Sequence, residues 1–179
     1  MTEQTTQKKY ELLKDDTVEH FGRTLYRIKA LITFGLVGAG QLGGYIETEK
    51  NLDHSGNAWV YDNALVYGDA RVYGNAQVYG NARVFGNAWM CGNARVFGNA
   101  WVRSFAVISE RKMIFWASNV GSENGTLTVS NGKFGLIVTR GCFTGTVDEF
   151  LSKSKEVHDD KTHHEYKLLI EVAQSRILN

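Results

Sequence analysis

Residues 58–105 read AWVYDN ALVYGD ARVYGN AQVYGN ARVFGN AWMCGN ARVFGN AWVRSF, a run of six-residue units with one pattern: alanine, a variable residue, valine, an aromatic residue, glycine, asparagine. Alanine recurs at Ala58, Ala64, Ala70, Ala76, Ala82, Ala88, Ala94 and Ala100. Two residues later come Val60, Val66, Val72, Val78, Val84, Met90, Val96 and Val102. Ala106 and Ile108 extend the register once more. In a strand, residues two apart share a face, so the alanine and the valine of each unit point the same way, and their apolar character sends them inward. Gly-Asn or Gly-Asp then turns a corner, because both residue types tolerate a positive φ. A helix needs apolar spacings of three and four, and an antiparallel meander needs longer strands between turns. Neither fits a period of two within six. Three units closing a coil of roughly 18 residues, with coils stacked at ~4.8 Å, do fit. The stacking predicts three inner columns: Val60–Val78–Val96, Val66–Val84–Val102 and Val72–Met90–Ile108.

Working outward, residues 9–13 and 23–31 read as short strands around a His20-Phe21-Gly22 turn. Residues 38–46 look like an irregular first coil that caps one open end, where strand edges would otherwise be bare. Beyond the repeat, residues 113–118, 126–130 and 134–139 alternate like strands, with Asn131-Gly132 as a tight hairpin signal. Thr146-Val147-Asp148-Glu149 is a capping box opening a helix over Phe150 and Leu151. A second helix is expected over about 161–178, with Leu168, Leu169, Val172, Ala173 and Ile177 as its apolar stripe. The expected organisation is a mainly β chain: an N-terminal β cap (1–54), the repeat β-helix (55–108) and a small α+β unit (109–179).

Composition excludes several classes. Hydrophobic residues make up 43% and charged residues 22% of 179, as in ordinary globular chains. The net charge of +1 is spread evenly, and the repeat itself carries four arginines against two aspartates. That balance argues against a nucleic-acid track, and no nucleic-acid partner is expected. Cys91 and Cys142 form neither a disulfide framework nor a zinc spacing. No apolar stretch suggests a signal peptide or a membrane span, so a cytoplasmic protein is expected.

Three stretches in this order resemble a family of phage and prophage hexapeptide-repeat proteins: Gly22–Ile28 with Ala39–Ile46, the Val-Tyr-Gly-Asn-Ala-Arg repeat, and Arg140–Phe150. The resemblance implies a left-handed β-helix and a phage-related origin, and it carries no catalytic residues.

Chemistry is sparse. Hexapeptide β-helices often belong to acyltransferases, which use a histidine base between coils. Residues 58–103 contain no histidine and no insertion; His54 stands just before them. His163 and His164 with Asp159 and Asp160 read as a polar helix start rather than a metal site. No catalytic residue, cofactor or metal ligand is assigned. The outward positions are more telling. Trp59, Arg71, Arg83, Trp89, Arg95 and Trp101 follow the alanines, while Tyr61, Tyr67, Tyr73, Tyr79, Phe85 and Phe97 follow the valines or close their columns. Tyr61–Tyr79–Phe97 and Tyr67–Phe85 should form ladders. Tyr, Trp and Arg are the residues enriched in interface hot spots. The expectation is therefore a non-catalytic binding scaffold, a dimer or trimer, that engages a protein partner, with a host defence factor as one target. An acyltransferase using acetyl-coenzyme A and a small-nucleotide binder at a subunit junction are the alternatives.

Overall fold

A computed structural model of the chain describes residues 7–177. Its centre is a parallel β-solenoid of two-residue strands. After the N-terminal strands β1 (Tyr10–His20), β2 (Arg23–Ala30) and β3 (Leu42–Ile46) come β4 (Trp59–Val60), β5 (Leu65–Val66) and β6 (Arg71–Val72). The next coil supplies β7 (Gln77–Val78), β8 (Arg83–Val84) and β9 (Trp89–Met90). The last supplies β10 (Arg95–Val96), β11 (Trp101–Val102) and β12 (Val107–Ile108).

The three predicted columns form in register. Val60, Val78 and Val96 pair along the first face, Val66, Val84 and Val102 along the second, and Val72, Met90 and Ile108 along the third. All nine side chains are at most 1% exposed, as are the repeat alanines. Burial of each such aliphatic stabilises by roughly 1.5–3 kcal/mol. The corners carry the expected positive φ, +67° at Gly74, where an added Cβ would lie 3.0 Å from the backbone nitrogen of Gly92 in the next coil. Glycine is required there by both the turn and the close approach of coils.

The coil starts earlier than the repeat. Ile46 pairs with Val66, and Leu52 bridges Val72, so residues 42–52 form part of a coil, as the irregular first coil over 38–46 suggests, ahead of the regular hexads. The β1–β2 hairpin then joins β3, making the second face a six-stranded sheet in the order β1-β2-β3-β5-β8-β11. Gly43 permits this, since a Cβ there would sit 2.5 Å from both Ile28 and the Val60 carbonyl. Asn51 stands in for the coil that is missing below: its Nδ2 donates to the Gly68 and Ala70 carbonyls at 3.0 and 2.9 Å, and its Oδ1 accepts from Thr48 N at 2.9 Å.

The other end is closed by β13 (Ile114–Val120), β14 (Gly125–Ser130), β15 (Ile137–Arg140) and β16 (Phe143–Gly145), an antiparallel sheet under α1 (Val147–Val157) and α2 (Asp160–Ile177). The Thr146–Glu149 capping box forms as expected. Asn131-Gly132 does not make a tight hairpin. Asn131 instead continues the solenoid ladder, accepting from Val107 N at 2.9 Å, so a six-residue loop separates β14 from β15. The stripe of α2 is also rotated from the expectation. Tyr166, Ile170, Ala173 and Ile177 face the small core with Leu127, Val129, Val138 and Phe150, while Leu168 and Val172 are 49% and 47% exposed.

Candidate functional site

The twelve outward residues do not form one surface. The structure distributes them over three faces with different fates, and two of them are inside the protein.

Trp59 is fully buried. Its neighbour residues arrive from the N-terminal cap: Phe34 meets the indole edge-on at 5.3 Å and Tyr10 at 6.1 Å. Strand alternation sends Trp59 away from the prism axis, and the 31–38 loop then covers it. Tyr67 is 6% exposed and packs with Leu25, Tyr45, Leu65 and Val18. Its hydroxyl meets His20 Nε2 at 3.2 Å, and burial lowers the His20 pKa while raising that of Tyr67. The long hairpin overhangs the short rungs, a tertiary fact that the hexads do not contain.

The rest of the second face is spent internally. Phe85 stacks on Tyr67 at 4.9 Å and 5° and meets the edge of Trp101 at 6.1 Å. Arg83 lies over the Trp101 ring at 4.8 Å, and Arg103 over Phe85 at 5.7 Å, with its Nη2 donating to the Cys142 carbonyl. Here the arginines lie over the aromatics, although Arg103 Nε is buried without a hydrogen-bond partner among the described residues.

The third face holds Arg71, Tyr73 and Trp89, the last 47% exposed. They border a depression of about 410 Å³ together with Glu49, Lys50, Asp53 and His54. Two cationic and two acidic side chains leave it without a dominant sign. His54 is held by the cap. Its ring stacks on Tyr10 at 4.3 Å, Nδ1 accepts from Lys9 N at 3.1 Å, and Nε2 faces Glu49 at 3.5 Å. In neutral His54 the proton therefore resides on Nε2 and the single lone pair is occupied by Lys9 N–H, the reverse of what a general base needs.

The first face is the open one. Beyond buried Trp59, its strands present Gln77 and Arg95 outward. Tyr61, Tyr79 and Phe97 line the adjoining corner as the predicted ladder: Tyr61 meets Tyr79 edge-to-face at 6.3 Å, and Tyr79 stacks on Phe97 at 5.0 Å and 12°. Trp116 of β13 continues it, crossing Phe97 at 4.6 Å and 89°. A depression of about 580 Å³ opens beside this ladder, walled by Arg95, Arg111 and Arg176 together with Ile114, Phe115 and Val172. It runs through Arg95 and Arg111 into a second of about 270 Å³, edged by Asn57, Asn75, Asn93 and Gln77 and by the exposed lip residue Leu36. Among the described residues, no carboxylate lies within 4.0 Å of Arg95, Arg111 or Arg176, whereas Arg23 and Arg27 are paired with Glu47 and Asp16. Asp62, at the far end, adds an acid, and its Oδ2 already accepts from Gly80 N at 3.0 Å.

Arg111, Trp116, Val172 and Arg176 were not among the sequence candidates. Trp116 had a faint signal: the 18-residue step from Phe97 lands one residue short of it, at Phe115. Arg176 and Val172 reach the groove only because α2 packs on β13 and the neighbouring 111–113 turn.

Comparison with known proteins reaches the solenoid alone. Among curated proteins no significant match is found. The family described as YdcK beta solenoid repeat matches residues 58–74, 64–78, 76–92 and 90–104 in overlapping segments, so this chain carries a stretch similar to that repeat, within a repeat β-solenoid fold.

Proposed function

We propose that the protein is a non-catalytic binding scaffold that engages a protein partner through the first face of its solenoid. One observation carries this reading. The first face combines an aromatic ladder with three arginines that have no carboxylate partner among the described residues, whereas the second face uses the same residue types to satisfy itself. Uncompensated arginine beside exposed aromatic surface is the composition of interface centres. Phe97 is 42% exposed on this face, so apolar area remains to be covered.

The resemblance to phage hexapeptide-repeat proteins supports a phage-derived role in the host cytoplasm, with a host defence factor as the partner. No helix among the described residues is long and apolar enough to cross a membrane. Association into a dimer or trimer belongs to the same reading, with the third face and its exposed Trp89 as the contact between copies. The acyltransferase alternative is weakened by His54, whose lone pair is engaged by Lys9. The small-nucleotide alternative competes for the same three arginines.

The test is photo-crosslinking in host lysate. A benzophenone side chain placed at Phe97 should trap a discrete protein band, and the same group at Trp101 should not. Equal trapping at both positions, or at Trp101 alone, would remove the first face from this role.

A further inference from the structure

We infer that the first-face groove receives an extended acidic segment of the partner, its carboxylates taken by Arg95, Arg111 and Arg176. This rests on the binding-scaffold reading and specifies the occupant.

Charge is the first argument. The 580 Å³ depression has three guanidinium groups on its walls and no acidic residue. A planar guanidinium fork matches a carboxylate bidentately, and such charge-assisted pairs are about twice as strong as neutral hydrogen bonds. These forks are also unspent. Arg83 and Arg103 lie over aromatic rings and Arg140 donates to the Tyr166 hydroxyl, but no comparable partner holds Arg95, Arg111 or Arg176 among the described residues.

The ladder supplies the second argument, and it separates a peptide from a nucleic acid. Tyr79 and Phe97 turn their faces to each other, and Tyr61 and Trp116 close the two ends of that stack. Tyr79 and Phe97 therefore each commit one face to the other, which leaves fewer faces free for a base. Nucleic-acid platforms need free faces for bases to stack on. Ring edges carry the positive part of the aromatic quadrupole, so they favour carboxylate oxygens and aliphatic side chains.

The third argument is the amide row. Asn57, Asn75 and Asn93 recur one coil apart beside Gln77, and Asn57 Nδ2 donates to Asn75 Oδ1 at 3.3 Å. Coils stacked at ~4.8 Å give donors and acceptors along roughly 10 Å, the span of about three extended residues. A short acidic strand with main-chain groups to the amides and side chains to the arginines fits that length.

Fluorescence anisotropy tests the inference with three labelled probes: an octapeptide alternating glutamate and tyrosine, the same peptide with lysine for glutamate, and oligothymidylate. The acidic peptide should bind, weaken with salt, and weaken about tenfold or more in Arg95→Gln/Arg111→Gln, a change of at least ~1.4 kcal/mol. The lysine peptide should not bind. The variant should melt with wild type, since those arginines hold no carboxylate or ring partner among the described residues. No binding of the acidic peptide, binding indifferent to the two arginines, or tighter arginine-dependent binding of oligothymidylate would each overturn the acidic-segment assignment. Crosslinking at Phe97 separates the two levels. If it still traps a protein, the face stands and only the occupant is wrong; if it does not, the face reading has failed as well.

Discussion

The first and second faces of the solenoid are built from the same hexad, yet they end differently. On the second, Tyr67 and Phe85 stack, Arg83 covers Trp101, and the hairpin overhangs the corner until Tyr67 is 6% exposed. On the first, Tyr79 and Phe97 stack in the same way, but Phe97 stays 42% exposed and Arg95 finds no anion within the described residues. A repeat dictates its inward residues, and its neighbours decide which outward residues remain available. A hot-spot composition marks a binding surface only after the chain's own caps have taken their share.

The harshest way to break the comparison is to remove the prism beneath both faces. Val78→Asp should abolish the cooperative thermal transition followed by circular dichroism, because an unpaired carboxylate in a dry core costs several kcal/mol or converts to a buried neutral acid. A Tm close to wild type would mean that Val78 is not inside.

Next, truncating one aromatic on each face should separate stability from binding. Trp101→Ala on the second face deletes contacts with Arg83 and Phe85, and a loss of about 2–4 kcal/mol in urea unfolding is expected with peptide affinity unchanged. Phe97→Ala should cost about 1 kcal/mol of stability, since its ring is already partly in water, and weaken the acidic octapeptide about tenfold. Reversed effects would exchange the roles of the two faces.

A smaller effect sharpens where the open face begins. Lys9 anchors the cap, its Nζ donating to the Ala58 carbonyl at 2.8 Å and lying 4.8 Å over the Phe34 ring. Burial pushes this amine down from 10.5 to about 8, with Asp53 opposing the shift. Between those values the unfolded chain binds more protons than the folded one, so stability should rise with pH from about 8 toward 10. The penalty is fully present below 8. Burial raises the Tyr10 pKa above its ordinary 10.0, so that group turns the slope downward beyond 10. Denaturant midpoints measured across this window should show the rise in wild type and lose it in Lys9→Met. A flat wild-type profile would mean that Lys9 is solvated.

Smallest of all is the matched arginine pair. Arg83→Ala should cost about 0.5–1 kcal/mol through its lost contact with Trp101. Arg95→Ala should change stability by less than about 0.5 kcal/mol. Equal losses would show that Arg95 has an unrecognised structural partner.

These differences also mark what the sequence could convey. The three inner columns, the corner glycines, the Tyr61–Tyr79–Phe97 and Tyr67–Phe85 ladders and the Thr146 capping box were all legible, because each rests on a period or a local motif. The burial of Trp59 was not. It follows from the 31–38 loop, which has no period and meets Trp59 from a distant part of the chain. The α2 stripe was misread by part of a turn because Leu168 and Val172 are apolar, so the helix has two apolar flanks and only packing selects one. The groove was half legible: Tyr79, Arg95 and Phe97 stood among the candidates, whereas Arg111, Trp116 and Arg176 come from outside the repeat and converge only through tertiary contacts.

Hydroxyl-radical footprinting of the free protein and of the protein saturated with the acidic octapeptide tests the central claim most directly. The free protein should be oxidised at Phe97 and spared at Trp59 and Tyr67. Peptide should then protect Phe97 and Trp116 while leaving Trp89 unchanged. Oxidation of Tyr67 as fast as Phe97, or protection centred on Trp101 or Trp89, would contradict the account of one self-satisfied face and one open to a partner.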